Sequence, residues 1–185
     1  MKTDDELIDA YKQGEETAFA ELVERHISAV YTFAYRMVGK KEEAEDVAQE
    51  TFIKFWKSIG RFRKGMRMRT WLLSIARNTA IDYLRKRRSL SFSEMGTHDD
   101  ADAFEHSLPD PAPSAESVFG LGEDTHRLEA ALMKLPLIYR EIVLFHYREG
   151  LTLEETAQTL KIPLNTAKSR DRRALIALRK LLATQ

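Results

Sequence analysis

Thr152-Leu153-Glu154-Glu155-Thr156-Ala157-Gln158-Thr159-Leu160-Lys161-Ile162-Pro163-Leu164-Asn165-Thr166-Ala167-Lys168-Ser169-Arg170-Asp171-Arg172-Arg173 is the stretch on which the fold turns. Thr152 with Glu155 three residues later is a capping box, so a helix opens there. Leu153, Ala157 and Leu160 fall at helical spacing and turn inward. Lys161-Ile162-Pro163-Leu164 is a short turn, and a longer helix follows from about Asn165 to Leu182. Its N-terminal half exposes Lys168, Ser169, Arg172 and Arg173. Two helices so joined form a helix-turn-helix, which lays cations and hydroxyls in a major groove to pair guanine edges and clamp phosphates. The plainer reading is an αα-hairpin with a basic solvent face. The capped short helix, the turn length and the loaded face together favour DNA.

Outward from this motif the chain reads as helix almost throughout. Leu128, Ala131, Leu132 and Leu135 form one stripe, stopped at Pro136, and Leu137 to Arg148 forms a second helix, stopped at Gly150. Near the N-terminus, Thr3 with Glu6 resembles a capping box for a short helix ending by Gly14. Thr17 to Val38 carries Phe19, Leu22, Val23, Ile27, Val30, Tyr31 and Ala34 at helical spacing. Glu42 to Ile59 buries Ala44, Val47, Ala48, Thr51, Phe52 and Phe55, and leaves Asp46, Gln49, Glu50 and Ile53 together on another face. Arg61 to Arg69 has no clear period and reads as a loop. Trp71 to Arg88 is a helix with Leu72, Leu73, Ala76, Ala80 and Leu84 inward and Ser74, Arg77, Asn78, Asp82 and Arg85 elsewhere. Residues 89 to 122 hold three prolines, dense acid and few apolar groups to offset ordering entropy, so they read as a flexible linker. The fold class expected is all-α: two small helical domains, residues 1–88 and 123–185, joined by that acidic linker.

A net charge of +0 conceals how charge is partitioned. Lys54 to Arg88 has twelve basic residues against Asp82, Ser89 to Asp124 has nine acids and no Lys or Arg, and Lys161 to Gln185 has seven basic residues against Asp171. Two basic modules flanking an acidic tether suit a protein that grips a polyanion at two places. Zero Cys excludes disulfides and thiolate metal sites. No apolar run approaches the roughly 20 residues a bilayer span needs, and the acidic N-terminus lacks a signal core, so a cytoplasmic protein without membrane insertion is expected.

Arg61-Phe62-Arg63-Lys64-Gly65-Met66-Arg67-Met68-Arg69 mixes cations with Phe and Met ahead of Trp71. Unpaired bases need an aromatic platform and a basic groove, so this module could capture bases pulled from a duplex. Alternatively Phe62 and Trp71 close the core beneath the loop. The Asp46, Gln49, Glu50 face would repel DNA, and apolar Ile53 at its centre suggests a protein partner. A solvated face with one exposed Ile is equally consistent.

An enzyme is poorly supported. The five His show no metal spacing, there is no Gly-rich phosphate loop, and Asp99, Asp100, Asp102, Glu105 and His106 read as disordered tether before they read as a divalent-ion site. No catalytic residue, cofactor or metal is expected. A conventional helix-turn-helix regulator would explain residues 125 to 185 and leave the rest unused.

Three stretches carry a resemblance. Glu42-Glu43-Ala44-Glu45-Asp46-Val47-Ala48-Gln49-Glu50-Thr51-Phe52 resembles the core-polymerase-binding stretch of region two in bacterial sigma factors. Thr70 to Arg85 is similar to the promoter-melting part that follows it, and Leu135-Pro136, Tyr139-Arg140-Glu141 and Gly150 to Ala174 resemble region four. The short linker points to the extracytoplasmic-function (ECF) class. The resemblance implies that Asp46, Gln49, Glu50 and Ile53 meet core RNA polymerase through its β and β′ subunits. It implies that Arg61, Phe62, Arg63, Lys64, Arg77, Asn78 and Arg85 act on the melted minus-ten element. His146, Lys168, Ser169, Arg172 and Arg173 fall to the minus-thirty-five element. An anti-sigma factor is an implied partner, and the linker is expected to thread toward the RNA exit path. Two positions depart from the family: Asn165-Thr166-Ala167 where Gly-Thr-Val is common, and Asp171 where Leu or Ile is usual. Asp171 lies on the apolar stripe, so it is expected to pair with a cation, Arg140 or Arg148.

Overall fold

The computed structural model describes residues 2–63, 65–94 and 123–183, and among them no strand occurs. They form two compact units.

The first unit begins with α1 (Asp4–Lys12), where the Thr3 hydroxyl accepts the Glu6 N–H at 3.3 Å and the Glu6 carboxylate accepts the Thr3 N–H at 2.6 Å. α2 (Glu16–Val38) packs along α1. Asp4 fastens the pair, taking Arg25 Nη1 at 2.7 Å on one oxygen and meeting His26 Nε2 at 2.9 Å on the other. α3 (Lys41–Ser58) ends in a 3₁₀ turn over Ile59–Arg61, and α4 (Met68–Glu94) follows. Leu22, Val30, Phe33, Ala34 and Met37 of α2 share the core with Ala44, Val47 and Phe55 of α3 and Leu72, Leu73, Ala76 and Ala80 of α4. An aromatic chain crosses this core: Tyr11 and Phe19 at 5.3 Å, Phe19 and Phe55 stacked at 5.4 Å, Phe55 and Trp71 edge-on at 5.6 Å, Trp71 and Phe62 at 5.4 Å. Such pairs add about 0.5–1.5 kcal/mol each beyond the area they bury. Arg87 of α4 donates to the buried Glu43 carboxylate of α3 at 2.7 Å, tying the two helices together.

α4 starts at Met68 rather than Trp71, because Met68 is buried and anchors an extra turn, and it runs to Glu94 rather than Arg88. No Gly or Pro interrupts the chain between Met68 and Glu94, so nothing local stops the helix where the composition changes. The rest of the expected linker, with Asp99, Asp100, Asp102, Glu105 and His106, lies outside the described residues.

In the second unit α5 (Glu123–Met133), α6 (Leu137–Val143) and α7 (Leu153–Leu160) precede α8 (Leu164–Ala183), which packs on all three. The helix expected over Leu137 to Arg148 changes form near its end. Leu144–Arg148 is a π turn, with the Glu149 N–H donating to the Leu144 carbonyl at 3.0 Å. Thr152 and Glu155 make the expected capping box at the start of α7. Lys161 ends that helix in the left-handed region, φ 56°, ψ 44°.

Two arginines organise this unit. Arg140 is half-buried, and its Nη2 donates to the Met133 carbonyl and, at 3.0 Å, to the Leu135 carbonyl, closing the end of α5. Burial pulls its guanidinium down to about 10. Arg170 Nη1 reaches Glu141 Oε1 at 3.3 Å, and Glu141 is 1% exposed. A buried carboxylate stripped of its cation destabilises strongly. Arg170→Ala is therefore expected to cost about 2 kcal/mol, a value reduced from the usual cost of breaking a buried pair because Arg170 is itself partly hydrated. Hydrogen exchange of the α6 and α8 amides checks it, and unchanged protection there contradicts it.

Candidate nucleic-acid and partner surfaces

Rotation of α8 about its axis decides which of its side chains meet solvent. Ala167 and Ala174 are fully buried, and Arg170 turns in toward Glu141. Lys168, Ser169, Arg172 and Arg173 are left exposed on one face, three or four residues apart. The Ser169 hydroxyl donates to the Thr166 carbonyl at 2.9 Å, an ordinary in-helix bond that leaves its oxygen able to accept. The structure thus brings together four of the five residues expected to read the upstream element.

His146 belongs elsewhere. Its Nδ1 bonds the Leu151 carbonyl at 2.5 Å and its ring meets Tyr147 edge-on at 4.5 Å, so it braces the π turn against the start of the helix-turn-helix. Asp171 also differs from expectation. Arg140 is engaged with the end of α5, and Asp171 forms no ion pair among the described residues. Its carboxylate faces the Tyr147 hydroxyl, whose pKa is raised by burial first and then by the charge and hydrogen bond of Asp171. Its Oδ1 is buried without a hydrogen-bond partner. A hydroxyl suffices in place of a cation because the side chain sits at the edge of the core, half in solvent.

In the first unit Arg61, Arg63, Asn78 and Arg85 are exposed, and Arg77 is half-buried with Nη1 donating to Asn78 Oδ1 at 3.0 Å. Lys64 lies outside the described residues. Phe62 is the correction. It is 6% exposed, with its ring against Trp71, so it offers no open face to a base. The 3₁₀ turn swings it inward, where about 200 Å² of ring surface gains more from the core than from water.

Asp46, Gln49, Glu50 and Ile53 stand exposed along one ridge of α3. On one side of the ridge lies a cleft lined by Asp46, Glu50, Lys54, Asp82, Tyr83 and Lys86. On the other lies an apolar groove of about 880 Å³, walled by Phe19, Val23, Ile27, Tyr31, Ile53 and Trp56. Ile27, at helical spacing with the buried residues of α2, is itself 47% exposed, and Trp56 is 52% exposed with its Nε1 donating to the Tyr11 hydroxyl at 2.6 Å. Helical spacing identifies an apolar face and not what covers it. The missed signal was width: the apolar residues of α2 span more of the helix than one neighbour can cover.

Residues 22–90 match the family description of Sigma-70 region 2, and residues 125–178 match Sigma-70, region 4. The ECF sigma factor SigW of Bacillus subtilis is 34% identical over 173 residues, covering 92% of each chain. The sigma-H factor of Pseudomonas aeruginosa is 33% identical over 184 residues, covering 98% of this chain and 95% of its own. A crystal structure of the sigma factor RpoE with the anti-sigma factor NepR, from Bartonella quintana, superposes with a TM-score of 0.68 at 25% identity, covering 89% of this chain and 96% of that one. CnrH, solved with the cytosolic domain of CnrY, shares the fold, with a TM-score of 0.65 at 23% identity over 97% of this chain and 96% of that one. The two basic helical units define a sigma-70-type transcription initiation factor. Within that class the chain belongs to the ECF RNA polymerase sigma factors.

A core role for Phe62 has a measurable consequence. Phe62→Ala is expected to destabilise by about 3–4 kcal/mol, as burial of a large ring predicts, and thermal melts of the full chain check it. A melt within about 0.5 kcal/mol of the parent, the range typical of surface substitutions, means the ring is solvent-facing after all.

Proposed function

We propose that the chain acts without catalytic activity of its own, in the cytoplasm, as the subunit that selects promoters for core RNA polymerase, with residues 1–88 and 123–185 as its working domains. The observation that carries this reading is the coexistence of a cationic helix face in each unit with an acid-and-apolar ridge in the first. A DNA-binding protein needs the cationic faces alone. The ridge and its groove suit a protein partner, and the family makes that partner core polymerase.

Asp46, Gln49, Glu50 and Ile53 meet the β and β′ subunits, with acids steering approach and Ile53 providing an apolar anchor. Arg61, Arg63, Lys64, Arg77, Asn78 and Arg85 hold the melted minus-ten element by backbone charge and polar contacts. Phe62 acts indirectly there, by fixing the loop that carries Arg61 and Arg63. Lys168, Ser169, Arg172 and Arg173 enter the major groove of the minus-thirty-five element. His146 serves by holding the turn that orients them. The RpoE structure with NepR supports an anti-sigma factor as a further partner. Among the described residues no helix is long and apolar enough to cross a membrane. A helix-turn-helix regulator without sigma activity would leave the ridge and groove without use.

Run-off transcription with core polymerase across a promoter library tests the reading, and the expected result is a defined set of starts absent with core alone. No transcript on any promoter defeats it. Asp46→Arg and Glu50→Arg are each expected to weaken core binding roughly tenfold to a hundredfold through like-charge contact, with the melting temperature unchanged. A pull-down titration with parental affinity would place the polymerase on another surface. Removing a base-reading cation of α8 is expected to cost about 1–3 kcal/mol at one promoter position, and competition binding over single-base variants measures it.

A further inference from the structure

Among the described residues Lys161 alone combines a side chain with positive φ. At φ 56° and ψ 44° its Cβ crowds the backbone, which is why glycine, or failing that Asn, ordinarily fills this position at a helix end. The turn needs this geometry: the Lys161 N–H donates to the Gln158 carbonyl at 3.2 Å, and the Ile162 N–H to the Ala157 carbonyl at 3.0 Å. Both bonds come from the main chain, so glycine would make them with less strain. The Lys161 side chain is exposed and takes no hydrogen bond or ion pair among the described residues. No polar contact of the side chain within the folded unit offsets the strain.

Its placement suggests what it does contribute. Lys161 precedes the first residue of α8, Leu164, by three positions, so it stands beside the end of the recognition helix that a helix-turn-helix points at DNA. Duplex phosphates line the edges of the groove that this end enters. Strain retained at one residue is a pointer to function at that residue. We infer that Lys161 is a phosphate anchor: its ammonium grips the backbone at the groove edge and sets how deeply Lys168, Arg172 and Arg173 reach, carrying no base information itself. This rests on the sigma-factor reading above and extends it to a residue outside the loaded face of α8.

The test uses the full chain assembled with core RNA polymerase on a promoter from which it starts transcripts, with Lys161→Gly, Lys161→Asn and Lys161→Arg. Promoter affinity is measured from about 50 to about 200 mM salt, beside the melting temperature of each free variant. The expected result is that Gly and Asn melt at or above the parent, bind about three- to tenfold more weakly at every upstream sequence alike, and lose about one from the slope of log affinity against log salt. Arg keeps the parental slope. Parental slope and affinity in Gly and Asn overturn the inference, as does a loss confined to one base position. A lower melting point in both with unchanged slope would assign the lysine to the end of α7 instead, and also overturns it. If the parent starts no transcript, the sigma-factor reading fails, and that outcome is distinct from the others.

Discussion

Glu141 is 1% exposed, and a carboxylate held that far from water must be met by a cation. Arg170 meets it, and in doing so fixes α8 against rotation. A pair of this kind adds little net stability, because desolvation consumes most of the attraction. What it adds is orientation. With Arg170 drawn inward, Lys168, Ser169, Arg172 and Arg173 have only the outer face to occupy. The same device recurs in the first unit, where Glu43 and Arg87 set α4 against α3. In each unit a buried carboxylate is met by an arginine from another helix.

Much of this was legible in the sequence. Capping boxes at Thr3 and Thr152, the helix-turn-helix and the ridge on α3 follow local rules of spacing and hydrogen bonding, and the chain obeys them. What was hidden depends on partners distant in sequence. Phe62 could face a base or the core, and only the position of Trp71 above it decides. Ile27 shares the period of its buried neighbours and opens onto the groove beside α3 instead of the core. Asp171 was expected to need a cation, and a tyrosine from the π turn stands there instead. No sequence pattern announces a π turn, since it differs from an α turn by one carbonyl in the register of its bonds.

The groove beside α3 puts a cost on the isolated chain. Ile27, Ile53 and Trp56 expose apolar surface side by side, where a monomer ordinarily scatters such residues singly. Glu16, Glu45 and Gln49 rim that surface and keep it wetted at its edge. Apolar floor and acidic rim together favour a partner that brings both apolar and basic groups, and they discourage self-association because two copies would bring acid against acid.

Both tryptophans of the chain lie in the first unit, Trp56 joined by a hydrogen bond to Tyr11 at one end of the aromatic chain that crosses its core and Trp71 next to the other end. Trp56 sits in the groove with its indole nitrogen on Tyr11, and Trp71 lies beneath the basic loop with Phe62 on one side and Phe55 on the other. The second unit has none. Tryptophan emission is therefore a built-in optical probe of one half of the molecule. Anything that fills the groove changes the surroundings of one indole, anything that moves the loop changes the other, and events confined to the helix-turn-helix pass in the dark.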